Sequence, residues 1–205
     1  KYDTLETEQD LIALFDVLLS VRDSTGRPAV ITSVTVVANP DFDKIRQSYF
    51  SEYFYEQFPE TYKKYPGCEN SFSVWKEGIE NRLFMPQFHG REHLNVKVWI
   101  KALKAGNPKA LLAFNNEMWG ITTANDPAIK IEFQAAFDFF DIDDLKYHEE
   151  VIIAGLSLFE KLFGYRATYF VPPNNLFSSK LDSICLNNGI KLQSVSKIRH
   201  EPLGK

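Results

Sequence analysis

The sequence predicts an α/β fold, most simply an incomplete β/α barrel. Short runs rich in Val, Ile and Phe, bounded by Gly, Pro, Asn and Asp, alternate with stretches whose apolar residues recur at helical period. The connections between successive runs suit parallel strands. The tail from Ser196 to Lys205 is too short to close a barrel.

Taken in order, Thr7 with Asp10 forms a capping box, and Leu11, Ile12, Leu14, Phe15, Leu18 and Leu19 continue with helical period, so a first helix is expected over Thr7–Val21. Asp23-Ser24-Thr25-Gly26-Arg27-Pro28 is a turn cluster, and the Val- and Ile-rich stretch Ala29–Ala38 reads as a buried strand. Asn39-Pro40-Asp41 then reads as a turn. Phe42–Tyr65 crowds rings among acids and lysines. They are expected to pack a short helical excursion onto the barrel, although aromatic faces also stack on sugars.

Asn70 or Ser71 caps a helix reaching about Arg82, with Phe72, Trp75 and Ile79 on one face. A strand over 84–88 follows, and Asn95 caps a helix over Val96–Lys104. Asn107-Pro108 starts a short helix, Lys109–Asn116. A strand is expected within Ile129–Phe139. Asp141 opens the longest helix, Ile142–Phe163, and Gly164 is its left-handed stop. A strand over Arg166–Val171 runs into Pro172-Pro173-Asn174-Asn175; a helix from Ser178 or Ser179 to Asn188 and a strand over Ile190–Val195 complete the pattern.

Chemistry concentrates in Phe84-Met85-Pro86-Gln87-Phe88-His89-Gly90-Arg91-Glu92-His93, an apolar run ending in two of the chain's 4 histidines. At i and i+4, paired imidazoles share one face of a helical turn. Neutral imidazoles are standard zinc ligands, commonly completed by a carboxylate. Gly90 permits a sharp exit from the strand. Both histidines then fall at a strand's carboxyl end, where barrels and open α/β sheets keep their sites.

Composition narrows the classes. The 205 residues, 44% hydrophobic and 24% charged, fit one ordinary globular domain over 1–205. A formal charge of −4 argues against nucleic acid and accommodates a neutral or cationic ligand more easily. Cys68 and Cys185 stand in unlike contexts and suggest no disulfide framework. No run approaches the roughly 20 apolar residues of a membrane span. Lys1 precedes a helix almost at once, without an initiator Met, so the chain is expected to be most of a barrel truncated at both ends. The sequence assigns neither compartment nor oligomeric state.

These residues resemble the polysaccharide deacetylases of the NodB-homology type. His89-Gly90-Arg91-Glu92-His93 is similar to that family's His-x-x-x-His metal motif. Phe159-Glu160-Lys161-Leu162-Phe163-Gly164-Tyr165 with Phe170-Val171-Pro172-Pro173-Asn174 is similar to the helix, strand and proline loop of its third motif. The resemblance implies a metal-dependent amide hydrolase on a NodB-like barrel, removing acetyl groups from N-acetylated carbohydrate. His89 and His93 would hold a divalent metal, most simply zinc, with one aspartate; a second aspartate would be the base. Both aspartates belong to an Asp-Asp motif expected before Lys1. Arg91, Trp119 and Asn174 are the expected substrate contacts. The third motif's usual arginine is missing, since Phe170, Val171 and Pro172 fill the candidate places, and no Leu-x-His motif appears before Lys205. Two other readings compete: a glycoside hydrolase using Glu92 and Glu117, and a carbohydrate-binding barrel without chemistry.

Overall fold

The computed structural model describes residues 5–123, 126–199 and 201–202. Among these residues lie eight α-helices, namely α1 (Glu8–Ser20), α2 (Phe42–Gln47), α3 (Phe58–Tyr62), α4 (Ser71–Glu80), α5 (Val96–Lys104), α6 (Pro108–Asn115), α7 (Asp144–Phe163) and α8 (Asp182–Asn187). The strands among the described residues are β1 (Val34–Thr35), β2 (Ala38–Pro40), β3 (Tyr55–Gln57), β4 (Gln87–Phe88), β5 (Tyr169–Phe170) and β6 (Leu192–Gln193). β1, β4, β5 and β6 form a 4-stranded sheet in that order, parallel throughout. β2 and β3 form a separate antiparallel pair. The fold is therefore mixed α/β with a mostly parallel sheet.

Local chemistry sets the helix ends. Thr7 Oγ1 accepts from the Asp10 amide at 3.2 Å while Asp10 accepts from the Thr7 amide at 2.9 Å, the reciprocal capping box. Asn107 accepts from the amides of Lys109 and Ala110, and Pro108 occupies the first helical position. Gly164 ends α7 with φ of 77° and donates to the Glu160 carbonyl at 2.8 Å. α7 starts at Asp144 rather than at Ile142, because Asp141 turns its side chain onto the Asp143 amide at 3.0 Å.

The expected strands over 84–88, Arg166–Val171 and Ile190–Val195 shorten to β4, β5 and β6, and the helix expected from Ser178 or Ser179 starts as a 3-10 turn, Ser179–Leu181, before α8; other elements differ more deeply. Within Ala29–Ala38 the parallel pairing along β4 ends at Thr35, whose carbonyl accepts from the His89 amide at 2.9 Å. Val37 and Ala38 then donate to the Arg91 carbonyl. Asn39-Pro40 is part of the hairpin with β3, and only Asp41 plays a boundary role, accepting from the Lys44 amide at the start of α2. The expected strand within Ile129–Phe139 is absent; this stretch runs as successive turns. Its Phe133, Phe137 and Phe139 are buried, so the apolar pattern reflects side chains filling the core from irregular backbone. That backbone is held from α5's cap: the Asn95 amide donates to the Phe133 carbonyl, and Asn95 Nδ2 donates to the carbonyls of Ala135 and Asp138 at 2.9 and 2.7 Å.

Two apolar clusters carry the packing. One joins the sheet's Phe88 and Phe170 to Phe15 of α1, Trp75 of α4 and Ile152 and Phe159 of α7. The other gathers Trp99, Phe114, Ile45 and Phe133, with Tyr147 packed against both. The rings of Phe42–Tyr65 divide accordingly: Phe58 and Tyr62 join the first cluster and Phe42, Phe50, Tyr53 and Phe54 the second, while Tyr49, Tyr55 and Tyr65 stay exposed. Both cysteines are buried free thiols, and burial pushes Cys185 up to about 12.

His148 on α7 is buried among Phe137, Phe139 and Tyr147. Burial lowers its pKa to about 4; Asp144 opposes the shift and Lys97 adds to it. In the unfolded chain the same group titrates near ~6.5. Only the unfolded state takes up this proton between those values, so the contribution is complete above pH ~6.5 and is lost as pH falls toward about 4. Lowering the pH from 6.5 to 5 is expected to cost about 2 kcal/mol from this residue. Urea unfolding of His148→Leu across that window should show a correspondingly flatter pH profile; an unchanged slope would remove His148 as the cause.

Candidate functional site

The histidines stand where β4 leaves the sheet. Phe88 is buried in the core, and the next residue emerges at the strand's carboxyl end. Gly90 makes the exit with φ of 111°, a conformation costly for residues bearing a Cβ. A Cβ there would also stand 3.2 Å from the Glu92 carbonyl oxygen. The segment 89–93 is irregular, so the loop and not a helical turn brings the rings together, with centroids 4.9 Å apart.

His89 Nδ1 lies 2.6 Å from the Val171 carbonyl oxygen. A carbonyl only accepts, so Nδ1 carries the proton and Nε2 keeps its lone pair. Burial lowers the His89 pKa despite that bond. Burial also lowers His93, and neighbouring His89 lowers it further, against the backbone at His93 and Gln134. Both rings are therefore neutral at pH 7. His93 stacks on Trp119, with centroids 6.2 Å apart and planes inclined by 22°. Among the described residues no hydrogen bond of ordinary geometry reaches its buried Nδ1.

Trp119 is thus brought to the histidine pair. It also lines a cleft of about 180 Å³ with Asn39, Glu56, Lys64 and Glu117. Asn174 is exposed, with φ of 53°, on the loop following Val171. That loop lies beside the histidine loop, because a Cβ on Gly90 would sit 3.6 Å from Pro173 Cγ. Arg91 turns elsewhere. Its guanidinium is buried and donates to both Glu92 oxygens at 2.6 and 2.8 Å, and it stands 4.4 Å from the centre of the Tyr55 ring. Burial pushes the Glu92 carboxyl up while the guanidinium pulls against that shift. Glu92 is spent on its neighbour, whereas Glu117 is exposed beside the Trp119 cleft.

The expectation of a zinc or other metal-binding group in this chain is corrected. Among the described residues no set of three or more His, Cys, Asp or Glu side chains is arranged to hold an ion. The paired imidazoles alone fall short of the three protein ligands of a catalytic zinc site. With that correction, the hydrolase and deacetylase expectations lose the support of a metal centre. Among the described residues no helix is long and apolar enough to cross a membrane. No family model, curated protein or solved structure matches the chain.

Sequence reasoning missed the Val171 carbonyl that sets the His89 tautomer, since a backbone acceptor 82 positions away leaves no residue-type signal. It also missed the tyrosine-lined cleft into which Arg91 points. Tyr53 and Tyr55 in the aromatic stretch were the available signal, but the convergence of Tyr147 from α7 was not.

Proposed function

We propose that this chain carries the histidine face of a carbohydrate-processing site on an incomplete β/α barrel, its reaction the removal of acetyl groups from an N-acetylated sugar polymer. The carrying observation is the neutral histidine pair at the carboxyl end of β4, walled by Trp119. His89 Nε2 is positioned by the Val171 contact to accept a proton or a hydrogen bond. Trp119 offers an apolar surface for a sugar ring or an acetyl methyl. An ion would require a third donor that the described residues do not supply, so the assignment rests on the imidazoles.

The same shortfall favours a second reading, sugar binding without turnover. The glycoside hydrolase reading fares worse, because Arg91 occupies both oxygens of Glu92.

Tetramers of N-acetylglucosamine are expected to shift the 15N resonances of both imidazoles and quench the Trp119 contribution to fluorescence. His93→Ala should weaken binding about tenfold, equivalent to about 1.4 kcal/mol, with the circular dichroism spectrum unchanged. Acetate release that disappears in His93→Ala supports deacetylation, and binding without release supports the second reading. Imidazoles unmoved at millimolar tetramer would overturn both.

A further inference from the structure

A cleft of about 540 Å³ lies between the β2–β3 hairpin, α5 and the start of α7. It is separate from the histidine pair: Arg91 links it to the 89–93 loop, but neither histidine nor Trp119 lines it. Its aromatic lining comes from Tyr53, Tyr55 and Tyr147. Arg91, itself part of the lining, lies over the rings of Tyr55 and Tyr53 at 4.4 and 5.8 Å and holds them in place. Tyr55 is 40% exposed, so one ring remains open toward solvent.

The α5 side of the lining is basic, with Lys97 over the Tyr147 ring at 5.0 Å. Lys97, Lys101 and Lys104 recur at i, i+4 and i+7 along α5 and all line the cleft. Like charges at this spacing repel. The helix dipole favours cations in the last turn, which accounts for part of the pattern at Lys101 and Lys104. Lys97 is additionally paired with Asp144, and Lys104 donates to the Ser51 carbonyl at 3.3 Å. Among the described residues Lys101 has neither an ion pair nor a hydrogen bond. Counting Arg91, four cations line the cleft and no acidic residue among those described does; Glu92 pairs with Arg91 and Asp144 with Lys97, and Glu150 lies near Tyr147. This local excess of positive charge sits on a chain whose formal charge is −4. Tyrosine rings and a lysine row lining one cleft fit a ring whose edge carries a negative group.

We propose that this cleft is a binding site for a carboxylated sugar, a uronic acid unit of an acidic polysaccharide, with its ring against Tyr55 and its carboxylate at Lys101. The choice of a sugar rests on the carbohydrate reading above; the charge and the aromatic wall are independent of it.

Calorimetry of the full chain with a galacturonate tetramer tests the site, with an N-acetylglucosamine tetramer and inorganic sulfate as the other ligands. Lys101→Glu and Tyr55→Ala are each expected to weaken the uronate at least tenfold, and added salt should weaken it in wild type. Lys101→Glu should leave the neutral tetramer unaffected, and His93→Ala should leave the uronate unaffected. Wild-type uronate affinity in both cleft variants would overturn the proposal, as would sulfate binding as tightly as the tetramer and indifferent to Tyr55. Failure of the histidine reading appears separately, as imidazoles unmoved by the neutral tetramer while the uronate still responds to Lys101→Glu.

Discussion

Replacing Asn95 with Ala is expected to destabilise the protein by about 3 kcal/mol, and calorimetry should show a melting temperature roughly 10 °C lower. The side chain serves two structures. Its Oδ1 caps α5 by accepting from the Val98 amide at 3.2 Å, and its Nδ2 holds the carbonyls of Ala135 and Asp138. Loss of a cap costs about 1 kcal/mol. Two lost buried hydrogen bonds add about 1 kcal/mol each, more where a carbonyl is left dry. Ser in this position keeps a capping oxygen without the two donors, so Asn95→Ser should recover about 1 kcal/mol of the loss. Amide exchange should accelerate across 129–139 in both variants. Equal stability of Asn95→Ala and wild type would mean that the segment is held by its buried phenylalanines alone.

Gly155→Ala on α7 is expected to cost about 2 kcal/mol net, overpacking of about 3 kcal/mol less a gain of about 1 kcal/mol in helix propensity. A Cβ there would stand 2.8 Å from Phe88 Cζ and 3.1 Å from both the amide nitrogen and Cβ of Arg91. Those neighbours have little room to retreat. Phe88 is fully buried, the Arg91 carbonyl accepts from Val37 and Ala38, and the Arg91 guanidinium is held by Glu92. Arg91 lies between the two histidines in sequence, so the added methyl should also displace their loop. Urea unfolding combined with histidine 15N spectra checks both effects: lower stability with altered imidazole shifts is expected, and Gly155→Val should be worse. A Gly155→Ala protein as stable as wild type, with unchanged imidazoles, would show that α7 can move away from the loop at no cost.

Much of the scaffold was legible because its signals are local. The Thr7–Asp10 box, the Asn107-Pro108 start and the Gly164 stop each satisfy backbone groups within one turn, so residue types at fixed offsets locate them. The placement of His89 directly after a strand followed in the same way from an apolar run and Gly90. The stretch 129–139 misled because burial, and not strand pairing, produced its apolar pattern. The aromatic density of Phe42–Tyr65 was plain, yet its division between two core clusters and an open cleft depends on which helices lie opposite.

By itself the sequence determined the alternation of helices with parallel strands and the presence of two imidazoles at a strand's end, since both follow from side-chain period and turn chemistry. Only the tertiary structure decided what those side chains meet. It set His89 against the Val171 carbonyl, stacked His93 on Trp119, buried Arg91 against Glu92 and the tyrosines, and brought no third metal donor to the histidines from the described residues. The physical reason is that hydrogen bonds, desolvation and charge pairing act over a few ångströms in space, between groups that here lie up to 82 positions apart along the chain.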